Sequence, residues 1–104
     1  MDAEQRYIRE SKYTLEHNFL DALTSVPLSV SMRVAKFIDQ CYDQISASEK
    51  EHRTYGGVVH VAGEAVFFSV EVMIDEELTY LLDFNVISSD EYLDFILMKS
   101  YLKK

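Results

Sequence analysis

Three consecutive carboxylates, Asp75-Glu76-Glu77, form the tightest group of side chains able to bind a cation or work as acid and base. Either chemistry needs oxygens that converge. A hard cation collects them from a loop, and acid–base catalysis aims two carboxyls at one reacting atom. Neighbours at a helix start point apart, and no oxygen-rich loop surrounds these three. The expected role is therefore Asp75 as N-cap, with Glu76 and Glu77 in a first turn where the helix dipole favours negative charge.

His17, His52 and His60 lack ligand spacing with one another or with Cys41, and no nucleophile elbow or comparable Ser, His and Asp signature occurs. Cys41 falls in the middle of an apolar stripe, where a thiol is commonly inert packing. Gly56-Gly57 resembles a phosphate-cradling loop only superficially. It leads into a strand and has no P-loop lysine, so a loop or bulge role is expected. No metal site, no cofactor and no enzymatic activity are expected.

Charge is more informative. From Thr54 to Met98 there is no Lys or Arg, while Glu64, Glu71, Asp75, Glu76, Glu77, Asp83, Asp90, Glu91 and Asp94 give that stretch a formal charge of −9 in a chain of net −8. A one-signed surface attracts cationic partners and is repelled by nucleic-acid backbone and anionic lipid. Direct binding to nucleic acid or membrane is disfavoured.

The 104 residues are 48% apolar, too hydrophobic for a disordered chain, and contain no linker-like tract or repeat. One globular domain spanning residues 1–104 is expected. The start, MDAEQRYIRE, is polar where a secretory signal is basic then apolar, and no apolar run spans a bilayer. With a single cysteine besides, a cytosolic protein is expected.

The elements that position these residues follow from periodicity. Ile8, Leu15, Phe19, Ala22 and Val26 share an arc at helical spacing, predicting a helix from Ala3 to about Thr24. Ser25-Val26-Pro27 interrupts it. A second helix, to about Ser48, carries Val30, Val34, Phe37, Ile38, Cys41 and Ile45 on one face and Arg33, Lys36, Asp39, Gln40 and Asp43 on the other. The period then changes to two, predicting strands 58–62 and 65–74 around a Gly63-Glu64 type II′ turn. That register puts Val59, Val61, Val66, Phe68, Val70, Val72 and Ile74 on the core face.

A third helix, Glu76 to Phe84 with Asn85 as C-cap, and a fourth to about Leu102 opening on a Ser88/Glu91 capping box, complete the prediction. The predicted fold class is α+β: a helix hairpin, a two-stranded β-hairpin and two C-terminal helices (α-α-β-β-α-α), with one helical layer on one sheet face.

In the last third, aromatics alternate with acids. Tyr80, Asp83, Asp90, Glu91, Tyr92, Asp94 and Phe95 form the candidate partner-binding set, because aromatic anchors supply burial energy while carboxylates speed association with a cationic partner. The last helix is also apolar on two sides. The leading expectation is a small acidic inhibitor that neutralises a basic protein, a nuclease or other nucleic-acid-binding protein, by presenting carboxylates and aromatics in place of nucleic acid. In size, acidity and aromatic content the chain resembles the class to which immunity proteins, antitoxins and phage anti-defence proteins, including anti-CRISPR proteins, belong. The alternative is a dimeric adaptor or secretion chaperone that uses the C-terminal helix and β-hairpin.

Overall fold

Strict alternation of apolar residues along two long strands forms the centre of the protein. The computed structural model describes residues 13 to 103. In chain order these are β1 (Tyr13–Leu15), α1 (His17–Thr24), α2 (Leu28–Gln40), α3 (Tyr42–Ser46), β2 (His52–Val61), β3 (Glu64–Asp75), β4 (Leu78–Ile87) and α4 (Ser89–Leu97). The strands make one mixed sheet in the order β1-β4-β3-β2, with β1 parallel to β4 and the other pairs antiparallel.

Helices α1 to α3 cover one face. Phe19 and Leu23 of α1, Val34, Ala35 and Ile38 of α2, and Ile45 of α3 are buried with Val59, Phe68, Val70, Val72, Leu81 and Phe84 from the sheet. The rings of Phe19, Phe84, Phe68 and Phe37 meet in sequence, with centroids 5.7 to 6.4 Å apart. Each fully buried side chain of this size is worth about 1.5 to 3 kcal/mol relative to exposure. Tyr13 joins β1 to α2, its hydroxyl donating to the Ile38 carbonyl at 2.8 Å. Burial first, then the nearby Cys41, pushes that hydroxyl's pKa well above its ordinary value.

The predicted α-α-β-β-α-α order and the single helical layer are both overturned. The chain runs β-α-α-α-β-β-β-α around a four-stranded sheet. The fourth helix, α4, lies on the face opposite α1 to α3. A Cβ at Gly56 would meet Phe95 of α4, whereas one at Gly57 would meet the core ring of Phe68. Consecutive strand residues face opposite ways, so the two glycines identify the two layers.

The predicted third helix is strand β4. A bulge between Glu71 and Val72 of β3 leaves Leu82 as the extra residue on β4. It puts Leu81 and Phe84 on the core side and Tyr80 and Asp83 on the other, three residues apart in each case, which in sequence reads as helical spacing. Asp75 caps no helix; Glu76-Glu77 is the β3–β4 turn, with Glu76 at φ 55°.

The first predicted helix covers only α1. Residues 13–15 are a strand, and the part before Tyr13, including Ile8, lies outside the described residues. The second helix breaks at Cys41 into α2 and α3, with its buried and exposed faces as predicted. Gly56-Gly57 is neither loop nor bulge but the buried interior of β2.

The β2–β3 turn is Ala62-Gly63, both at positive φ (53° and 82°), the type I′ pattern, where a type II′ turn at Gly63-Glu64 was expected. The pairing moves to Val59 with Val66 and Val61 with Glu64. A shift of two residues keeps every side chain on its face, so Val59, Phe68, Val70 and Val72 are core as predicted. Ala62 is a poor residue for this turn. Ala62→Asn, giving Asn-Gly, is expected to raise stability by about 0.5 to 1 kcal/mol in urea unfolding.

Candidate protein-binding face

The capping box that opens α4 is present as predicted. Ser88 Oγ accepts from the Glu91 amide at 3.1 Å, and Glu91 Oε1 accepts from the Ser88 amide at 3.2 Å. The helix ends at Leu97 and does not reach Leu102. Lys99 adopts φ 56°, and the Lys99 and Ser100 amides donate back to the Ile96 and Phe95 carbonyls. This is a Schellman stop with lysine where glycine is usual.

Arg53 holds the stop from β2, donating from Nε to Ser100 Oγ at 3.1 Å and from Nη2 to the Lys99 carbonyl at 3.0 Å. Beyond it the chain lies along the outer edge of β2. Gly56 donates to the Ser100 carbonyl, Leu102 donates to the Gly56 carbonyl, and Leu102 is buried. This strap, Ser100 to Lys103, fixes α4 across the sheet from behind the helix.

The position of α4 decides which of its apolar sides is free. Tyr92 and Phe95 turn inward: Tyr92 stacks against Phe67 at 5.1 Å, and Phe95 sits over Gly56. Both are half-buried, and burial, followed by neighbouring Tyr101, raises the Tyr92 hydroxyl's pKa. Leu93, Leu97 and Met98 turn outward, 53%, 73% and 63% exposed. With Asp90 and Asp94, also exposed, they stand at helical spacing along a single stripe.

The seven residues singled out in the sequence therefore fall into three groups. Asp90 and Asp94 lie on the outer stripe of α4. Glu91 is exposed beside it, with its carboxylate engaged in the capping box. Tyr92 and Phe95 hold the helix to the sheet. Tyr80 and Asp83 are half-buried on β4, on the same side of the sheet as α4, level with Met73 and Glu71 of β3. At about 3.3 Å per strand residue, Glu71 is roughly 13 Å and Met73 roughly 20 Å along the strand from Phe67 under Tyr92. The structure does not gather the seven into one patch.

The remaining acids of the base-free stretch are dispersed. Glu64 and Glu76-Glu77 occupy opposite ends of β3. Glu71 contacts His52 at 2.5 Å, and Asp83 accepts from the Phe84 amide at 2.8 Å. Leu93, Leu97 and Met98 were absent from the sequence-based set. The sequence divides the apolar residues of the last helix into Leu93, Ile96 and Leu97 on one side and Phe95, Met98 and Leu102 on the other, whereas the free stripe takes Leu93 and Leu97 from the first and Met98 from the second.

Among the described residues no group of His, Cys, Asp or Glu is placed to hold a metal ion, and no helix is long and apolar enough to cross a membrane. Comparison with protein-family models, curated proteins and solved structures finds no match, so the chemistry of the face itself carries the functional argument.

Proposed function

We propose that this protein is a small acidic inhibitor that docks the outer stripe of α4 onto a basic surface of a nucleic-acid-handling protein and occupies the place of nucleic acid. The observation that carries the reading is the stripe itself: Asp90, Leu93, Asp94, Leu97 and Met98 on one exposed helix face, with no Lys or Arg in α4. Three exposed apolar side chains in a row provide burial energy, while the two carboxylates give long-range attraction to a cationic cleft and repel an anionic competitor.

Tyr92 and Phe95 contribute by rigidity. Held against Phe67 and Gly56, they present a helix whose orientation does not have to be ordered on binding. A reducing cytosol suits this reading, since Cys41 is the single cysteine of the sequence and its thiol is buried.

Charge reversal of the stripe, Asp90→Lys with Asp94→Lys, is expected to slow association with the partner about tenfold at low salt and to leave helical circular dichroism unchanged. Unchanged association by a folded variant would remove the electrostatic part of the proposal. A dimer held through Leu93 and Leu97 is the competing outcome, and it would appear as a concentration-dependent mass in light scattering.

A further inference from the structure

Strand β2 is one edge of the sheet, and the C-terminal strap covers only part of that edge. Gly56 turns its amide and carbonyl outward to Ser100 and Leu102, and Thr54 turns its carbonyl outward to Ser100 Oγ. In an antiparallel pair the outward-facing residues alternate, so Val58 and His60 also point their backbone groups away from β3. The strap does not reach them. After Leu102 it leaves the edge, with the Lys103 amide donating to Gln44 Oε1 and the Lys103 carbonyl accepting from Cys41 Sγ. Among the described residues, Val58 and His60 have no backbone partner on that side.

This free length of edge forms one wall of an open groove of about 620 Å³ whose other wall is α2. Phe37 and Met32 give the groove an apolar base. Arg33 and Lys36 are both exposed on α2, neither is in an ion pair with a described residue, and no acid among the described residues lines the groove. In a chain of net charge −8 this is a local reversal of sign. An unpaired strand edge is a template for another strand, and cations beside it select the strand that adds.

We propose that the Val58–His60 edge of β2 takes up a short acidic segment of a partner protein as an added strand, with the segment's carboxylates on Arg33 and Lys36. Main-chain hydrogen bonds to Val58 and His60 supply sequence-independent affinity. Alternate side chains of the segment turn toward α2, where Phe37 and Met32 accept apolar groups and the two cations accept acids. A second copy pairing through the same edge would bring Arg33 and Lys36 toward their own counterparts, and like charges oppose that arrangement. The site is separate from the α4 stripe and of opposite sign, so it stands or falls independently of the inhibitor reading.

The test uses the full chain and a short fluorescein-labelled peptide of repeating Val-Val-Glu-Glu, which puts both Val and Glu on each strand face, with the Val-Val-Lys-Lys peptide as control. Anisotropy is expected to show saturable binding of the Glu peptide only. Amide shifts in NMR are expected to centre on Val58 and His60, with Asp90 and Leu93 unmoved. Arg33→Glu with Lys36→Glu, two exposed positions, is expected to weaken binding at least about tenfold. Val58→Pro, which removes an outward amide, is expected to weaken it too. Equal binding of the Lys peptide, shifts on α4 in place of β2, or an unaltered affinity in the folded Arg33/Lys36 variant would each overturn the proposal. So would protection of the Val58 and His60 amides that grows with protein concentration in the absence of peptide, the mark of pairing between copies.

Discussion

Phe68→Ala is expected to lower the unfolding free energy by about 3 to 5 kcal/mol, a large share of what a small domain possesses. Phe68 is fully buried on β3 and contacts Phe37 from α2 and Phe84 from β4, with ring centroids at 6.1 and 5.7 Å. It joins the helical layer to two strands at once. Removing the ring leaves a cavity whose walls belong to three different elements, and they cannot close on it together. Urea unfolding measures the cost. A loss below about 1 kcal/mol would mean that Phe68 is outside the core and that the β2–β3 pairing is wrong.

Gly57→Ala is expected to cost about 1 to 3 kcal/mol or more, although it adds a single methyl group to a strand, where alanine is ordinarily the better residue. A Cβ at position 57 would overlap the ring of Phe68, its direct cross-strand partner. The aromatic ring fills the space that the glycine leaves on an edge strand. The effect is specific to the pair, so Gly57→Ala is expected to cost less in a Phe68→Leu background, with a coupling of at least about 0.5 kcal/mol. Additive losses would show that the ring is not what confines position 57. Gly56 has the same relation to Phe95 on the other face, a Cβ there lying 2.7 Å from Phe95 Cβ. Two adjacent glycines thus receive one aromatic on each face of the sheet.

That pair shows why the fold was only partly legible. In sequence, Glu49 to Arg53 reads as a polar loop and Gly56-Gly57 as a loop or bulge. Pairing with β3 makes this segment a strand, and an aromatic occupies the space at each glycine, Phe68 on one face and Phe95 on the other. The faces of β3 could be read correctly because Phe68, Val70 and Val72 alternate without interruption, and an error of two residues in the turn does not alter alternation. Strand β4 was read as a helix because its bulge places Leu81 with Phe84 and Tyr80 with Asp83. Strand β1 is three residues long, and its Leu15 happens to continue the arc of α1.

The two ends of α4 differ in the same way. The Ser88/Glu91 box is a local motif with a local cause, and it could be read directly. The helix stop depends on Lys99 in a left-handed conformation held by Arg53 from β2, and nothing at Lys99 itself announces it. The candidate site inherits this limit. Acidity without compensating bases was visible in the composition, but the division of α4 into Tyr92 and Phe95 inside and Leu93, Leu97 and Met98 outside is a property of where the sheet lies.

On the proposed function, the outer stripe of α4 engages a basic partner in place of nucleic acid. The most direct measurement is affinity capture from the native host lysate at low salt, run in parallel with the unaltered protein and the Asp90→Lys/Asp94→Lys variant. Elution is by a salt gradient, and the retained protein is then assayed for nucleic-acid binding with and without the unaltered protein. The expected result is a basic protein held by the unaltered chain, released as salt rises, poorly held by the variant, and unable to bind nucleic acid while the chain is bound. A partner retained equally by both chains and indifferent to salt, or one that binds nucleic acid and this protein together, would contradict it.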